Sequence, residues 1–173
     1  MKNFFQKNRA GFTLIELLLV IGIIAILAAI VIVAINPTKQ LGDARNAQRR
    51  SDVNTVLNAI WQYAIDNNGN MPCHTAGTSP CVDASMRMLG TATTGCDSTV
   101  AGYCDDIGTL ARPAACIDLS AALSDKYVVA IPQDPRYGSA AMTRYIVQTI
   151  AGNRVKVTAC DLEGVTDTLS VSR

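Results

Sequence analysis

Hydrophobic positions along this chain fall into three regimes. From Phe12 to Ile35 they are nearly continuous, and Glu16 is the one charge among them. As a helix this run would be about 36 Å long, enough to cross a hydrocarbon core of ~30 Å. From Asp43 to Asn67 the apolar positions recur at helical spacing, as Val53, Val56, Leu57, Ile60 and Ala64, with Trp61 and Ile65 widening the stripe. Asp43, Arg45, Gln48, Arg49, Asp52 and Asn58 take the other side. A stripe this wide predicts an amphipathic helix packed on a sheet. Beyond Leu119 the period shortens to that of strands. Tyr127 to Ile131 is a β-prone run ended by Pro132, and Arg144 to Ala151 alternates up to Gly152 and Asn153. Arg154 to Thr158 alternates again, so a two-residue turn at Gly152 and Asn153 predicts a hairpin. Val165 to Val171 reads as a last strand.

The joints between regimes are also legible. Asn36 before Pro37 predicts a helix stop and restart, with Asn36 as N-cap and Pro37 at the first helical position. Gly42 weakens the turn that follows. The polar run Asp66 to Asn70 ends the second helix, with Gly69 suited to a left-handed cap. The expected class is α+β. Its parts are a basic leader over 1–11, an apolar helix over 12–35 and an amphipathic helix over 36–68. A cysteine-rich loop region over 69–126 and an antiparallel sheet over 127–173 complete it.

Charge and cysteines refine this picture. Met1 to Gly11 carries Lys2, Lys7 and Arg9 and no acid, which favours a cytoplasmic N-terminus. Lys39, Arg45, Arg49 and Arg50 follow the apolar run, so the flanks vote only weakly. All six cysteines, Cys73, Cys81, Cys96, Cys104, Cys116 and Cys160, lie beyond the run. That pattern predicts disulfides formed outside the cytoplasm. Cys73 to Cys81 and Cys96 to Cys104 share a spacing of eight, which suggests two local bridges and leaves Cys116 for Cys160. Six cysteines allow 15 connectivities, and this is one of them. Zinc is disfavoured because no C-x₂-C pair exists and His74 is the single histidine.

The apolar run is too long for a secretory h-region, and no small-residue cleavage site follows it. The run Lys7-Asn8-Arg9-Ala10-Gly11, then Phe12-Thr13-Leu14-Ile15-Glu16-Leu17, resembles the prepilin processing motif of the type IV pilin and type II secretion pseudopilin superfamily. The segment from Tyr63 to Pro72 resembles the major pseudopilins, and Ile131-Pro132-Gln133-Asp134-Pro135 resembles pilins of this kind. The resemblance implies cleavage between Gly11 and Phe12 by a prepilin peptidase and N-methylation of Phe12. It also implies that Glu16 meets the amine of Phe12 on a neighbouring subunit, so that copies of the chain bundle into a helical filament. Pilins often carry a proline well inside the apolar segment; here the first is Pro37.

What the resemblance implies for function is a structural pilin subunit of a type IV pilus, serving adhesion, motility or DNA uptake. The alternative is a pseudopilin of a type II secretion system. An alternative of another class is a membrane-tethered extracellular binding domain. The implied partners are the peptidase, an inner-membrane assembly platform and membrane lipid before assembly. The expected place is a single pass in the cytoplasmic membrane with the head outside, then an extracellular pilus or periplasmic pseudopilus.

No enzyme is expected. The chain has no nucleophile elbow, zinc-protease helix, phosphate loop or dinucleotide fingerprint, and no cofactor is implied. Asp105, Asp106, Asp134 and Asp161 lack calcium-loop spacing and read as scattered surface acids, so no metal ligand is assigned. Lys39, Arg45, Arg49 and Arg50 read as a solvated helix face or an inter-subunit salt-bridge surface. Nucleic acid is a further partner that no motif supports, since the net charge is only +1.

Overall fold

The computed structural model describes residues 11–74, 81–96, 115–159, 161–164 and 168–173. The chain divides into two units, one ending at Gln40 and one running from Leu41 to Arg173. In the first, α1 spans Leu14–Ile35 and buries none of its side chains. It stops at Asn36, whose backbone is left-handed (φ 44°). The next helix, α2, spans Pro37–Asp66. The Asn36 side chain accepts from the Lys39 amide at 3.4 Å and from the Thr38 hydroxyl at 2.7 Å. One asparagine thus ends one helix and caps the next, as its neighbour Pro37 requires.

In the second unit, α2 buries Val53, Val56, Leu57, Ala59, Ile60 and Ala64. Ile65 is 76% exposed and lies off the stripe, contrary to expectation, because its apolar neighbours in sequence already fill the buried face. The helix ends with Asn68 and Gly69 in left-handed conformations and the Gly69 amide bonded to the Ala64 carbonyl at 2.7 Å.

The sheet is antiparallel with four strands in sequence order: β1 (Arg87–Met88), β2 (Tyr145–Ile150), β3 (Arg154–Ala159) and β4 (Leu169–Ser172). A short helix, α3, spans Ser120–Leu123. Tyr145 opposes Ala159, Val147 opposes Val157 and Thr149 opposes Val155. Tyr145, Val147, Val155, Val157 and Ala159 form one core with the apolar stripe of α2, Leu89, Ile117, Leu119 and Leu123. Met88 opposes Ile146, on the other face of the sheet. There it packs with Cys96, Cys116, Ala92 and Met142.

Four expectations change. Ile150 pairs with Arg154, so the hairpin loop has three residues, Ala151 to Asn153, with Gly152 and Asn153 left-handed. Tyr127 to Ile131 forms no strand. The Tyr127 and Val128 amides both return to the Leu123 carbonyl, which leaves a single bridge between Ser124 and Val128. Val129 is 91% exposed. β1 lies inside the region read as loop. The last strand covers Leu169–Ser172, and residues 165–167 of the expected strand lie outside the described residues.

Candidate functional site

Gly11 and Phe12 lie in exposed, non-helical chain directly before α1. Thr13 is the N-cap, and with Glu16 it forms a reciprocal capping box. The Glu16 carboxylate accepts from the Thr13 amide at 2.8 Å and the Thr13 hydroxyl at 2.7 Å, while the Glu16 amide donates to the Thr13 hydroxyl at 3.3 Å. The one acid of the apolar helix is therefore held by its own chain at the helix start, where the helix dipole also favours negative charge. From Leu17 onward the helix is apolar all round, and its exposed side chains include Leu18, Ile21, Ile24 and Leu27. A helix of that kind belongs in a membrane or a helical bundle. At 22 residues it is about 33 Å long and spans a bilayer core.

In the head, the cysteines and the charges are arranged differently from the sequence reading. Cys73 bonds to Cys81, and Cys96 bonds to Cys116. The pairings Cys96 to Cys104 and Cys116 to Cys160 are therefore corrected. The cause is a backbone contact: Ile117 bridges to Leu89, with its amide on the Met88 carbonyl, and the Cys116 amide reaches the Ala92 carbonyl. That seats Cys116 against Cys96. Cys104 and Cys160 lie outside the described residues, as do Asp105 and Asp106.

The basic face of α2 is not a free surface. Lys39 and Arg50 are exposed, but Arg49 is fully buried and forks onto Asp134, with Nε 2.6 Å from Oδ2 and Nη2 3.2 Å from Oδ1. Arg45 forks onto Glu163 with both contacts at 2.5 Å, and Arg136 reaches the same carboxylate at 3.0 Å. Asn46 clasps the Glu163 backbone, donating to its carbonyl at 2.8 Å and accepting from its amide at 3.0 Å. Gly42 makes room for this, since a Cβ there would lie 3.3 Å from that of Glu163. Asp52 is also buried, and accepts from the Tyr145 hydroxyl at 2.7 Å and from Gln48 at 2.8 Å.

These contacts set the protonation states. The hydrogen bonds from Arg45 hold Glu163 down to about 2. Burial pushes Asp134 up, but Arg49 and the amides of Tyr137 and Arg136 outweigh it and hold the carboxyl below its ordinary range. Burial, then the hydrogen bond to Asp52, drives the Tyr145 hydroxyl far up, so it stays a donor. Asp161 is 7% exposed and neither of its oxygens has a hydrogen-bond partner. Burial, reinforced by Asp134, pushes it up to about 6. Asp134 and Asp161 are thus interior groups, not surface acids. Among the described residues no cluster could hold a metal ion.

The prokaryotic N-terminal methylation motif matches residues 6–32. This motif and the likeness that follows support the type IV pilin and type II secretion pseudopilin superfamily. The chain is 36% identical over 63 residues to the type II secretion system core protein G of Aeromonas hydrophila, a match covering 36% of this chain and 43% of that relative. The chain therefore spans less than half of that relative's length. No solved structure gives a significant match. Pilins and pseudopilins are structural rather than catalytic, and the apolar N-terminal helix together with the motif fits a single-pass membrane-anchored protein.

Sequence reasoning singled out Gly11, Phe12 and Glu16, which the structure places within one short stretch at the start of α1. It missed the pilin-like head's buried cluster of Arg49, Asp52, Asp134 and Asp161. The available signal was the Ile-Pro-Gln-Asp-Pro stretch around Asp134, which was read only as a likeness. Its acid turns out to be the counter-ion of Arg49, and also holds the turn that follows through the amides of Arg136 and Tyr137, both at 2.9 Å.

Proposed function

We propose that this chain is a filament-forming pilin, a structural subunit of a type IV pilus and not an enzyme. On this reading residues 1–11 are a leader removed by a prepilin peptidase. Phe12 becomes the methylated N-terminus, and residues 12–35 first span the cytoplasmic membrane with the head outside and then form the filament core with copies of the chain. The observation that carries the reading is Glu16: one carboxylate at the start of an otherwise wholly apolar helix, directly after the exposed Gly11–Phe12 junction. A lone anchor needs no such charge, which raises the cost of insertion. In the bundle it would leave Thr13 for the amine of Phe12 on a neighbour, a pair that sets register more than stability. The disulfides of the head suit an exposed filament.

A second reading is a pseudopilin, whose short filament stays in the cell envelope. The likeness to a type II secretion core protein favours it. Electron microscopy of cells expressing the chain, with intact-mass analysis of the native protein, tests both. Surface filaments whose subunits begin at methylated Phe12 support the pilus reading. Correct processing without surface filaments, together with a secretion defect on deletion, favours the pseudopilin. A mature chain that retains Met1 would remove both.

A further inference from the structure

The turn Asp161 to Gly164, between β3 and β4, carries two acids of opposite character. Glu163 is a tooth that stays charged well below neutral pH. Its carboxylate meets Arg45, Arg136 and, at 3.4 Å, Arg49, and Asn46 holds its backbone. Through these bonds the turn sits on the stretch of α2 from Gly42 to Arg49. Two residues earlier, Asp161 enters the interior beside the Arg49–Asp134 pair without a hydrogen bond to either oxygen. The charged groups acting on it come from three places: Arg49 from α2, Asp134 from the turn before β2, and Arg144 directly before β2. Arg49 is already forked onto Asp134, so its charge is shared before Asp161 is counted.

We propose that this turn is a proton-operated latch on the first turns of α2 within the head, closed while Asp161 is neutral and loosened when Asp161 loses its proton. A neutral carboxyl tolerates the dry site better than a carboxylate, which burial and Asp134 disfavour more than Arg144 and Arg49 favour it. Ionisation therefore favours states in which the turn lifts and water reaches Asp161. Lifting also separates Glu163 from Arg45 and Arg136, while Arg49 keeps its fork onto Asp134.

The direction follows from linkage. The site holds Asp161 up to about 6, against an ordinary 3.8. As far as Asp161 decides it, the closed state is most favoured below 3.8, weakens as pH rises from 3.8 to about 6, and changes no further above that. A shift of this size changes the opening equilibrium by up to about a hundredfold.

Hydrogen exchange of the full chain in detergent micelles, at pH 5 and pH 7.5 and normalised to intrinsic rates, reads the latch. Amides over 42–49 and 161–164 are expected to lose protection severalfold or more at pH 7.5, while those over 154–159 keep it. Asp161→Asn should hold the protection at both pH values, and Glu163→Gln should weaken it at both. Equal protection of the wild type at the two pH values would overturn the proposal. So would a pH difference that survives in Asp161→Asn, which would assign the effect to another group. Should that variant not fold, the carboxyl resonance of Asp161 in the wild type decides. A midpoint near 6 supports the latch, and one at or below 4 sinks it.

Discussion

Arg49 and Asp134 lie 85 residues apart in sequence and form a forked ion pair with side chains 0% and 1% exposed. The pair joins the middle of α2 to the turn that precedes β2. A buried pair of this kind adds little over a well-packed apolar one, but removing one member strands the other's charge. Arg49→Met is therefore expected to destabilise the head by about 3–5 kcal/mol. Arg49→Lys should recover only part of this, because an ammonium cannot fork onto both oxygens. Denaturant unfolding followed by the fluorescence of Trp61 checks both variants; a loss under about 1 kcal/mol for Arg49→Met would show the charge to be solvated after all.

Acid should weaken the head through Glu163. Its carboxyl is held at about 2 in the fold, below its ordinary 4.5. A group depressed in this way stabilises the fold above the ordinary value, and that stability is lost as pH falls from 4.5 toward 2. Melting temperatures from pH 7 down to pH 2 should show Glu163→Gln less stable than the wild type at neutral pH, with the gap closing in acid. A gap that persists at pH 2 would locate the contribution in packing instead of charge.

The two bridges should differ in weight. Cys96–Cys116 closes a separation of 20 residues and Cys73–Cys81 one of eight. Loop entropy alone makes the longer bridge worth about 0.8 kcal/mol more. Cys96 and Cys116 are also buried with Met88, so Cys96→Ser with Cys116→Ser should destabilise more than the Cys73 and Cys81 double variant. Peptide mapping without reduction should recover Cys96 joined to Cys116, and a fragment joining Cys96 to Cys104 would contradict the structure.

Gly90 should accept no side chain. Its φ is +153°, and a Cβ would lie 2.2 Å from the Ala141 carbonyl oxygen. That oxygen and its carbonyl carbon, 2.8 Å from the Cβ, both belong to the backbone, so neither can swing aside. Gly90→Ala is expected to cost about 3 kcal/mol or more. Gly95 is also left-handed, but a Cβ there meets nothing, so Gly95→Ala should cost only the conformational strain of about 1–2 kcal/mol. Comparing the two by thermal unfolding separates clash from strain.

Much of this architecture could be read from the chain because it rests on local rules. The apolar run, the break at Asn36 and Pro37, the cap at Gly69 and the hairpin each depend on residues a few positions apart. The same reasoning failed where the deciding partner is distant. Arg49 reads as surface because nothing near it in sequence says that Asp134 will neutralise it. Cys116 reads as a partner for Cys160 because the bridge of Ile117 to Leu89, which carries it to Cys96, leaves no periodic mark. Tyr127 to Val129 has the composition of a strand, but the amides of Tyr127 and Val128 are used by the turn after α3. At the N-terminus, the spacing of Gly11, Phe12 and Glu16 marks a candidate site without a fold at all. It did not reveal that Thr13 would occupy the carboxylate within a single subunit.

The sheet's two outer strands carry a consequence for crowding. β1 has only two residues, and β4 has four, with its pairing extended by the two bonds between Arg173 and Val155. Along β4, Ser170 and Ser172 are exposed, so the strand offers no apolar ladder. Short, polar rims resist strand addition from a neighbour. Heads brought side by side at high local concentration would therefore stay separate folded bodies instead of fusing edge to edge.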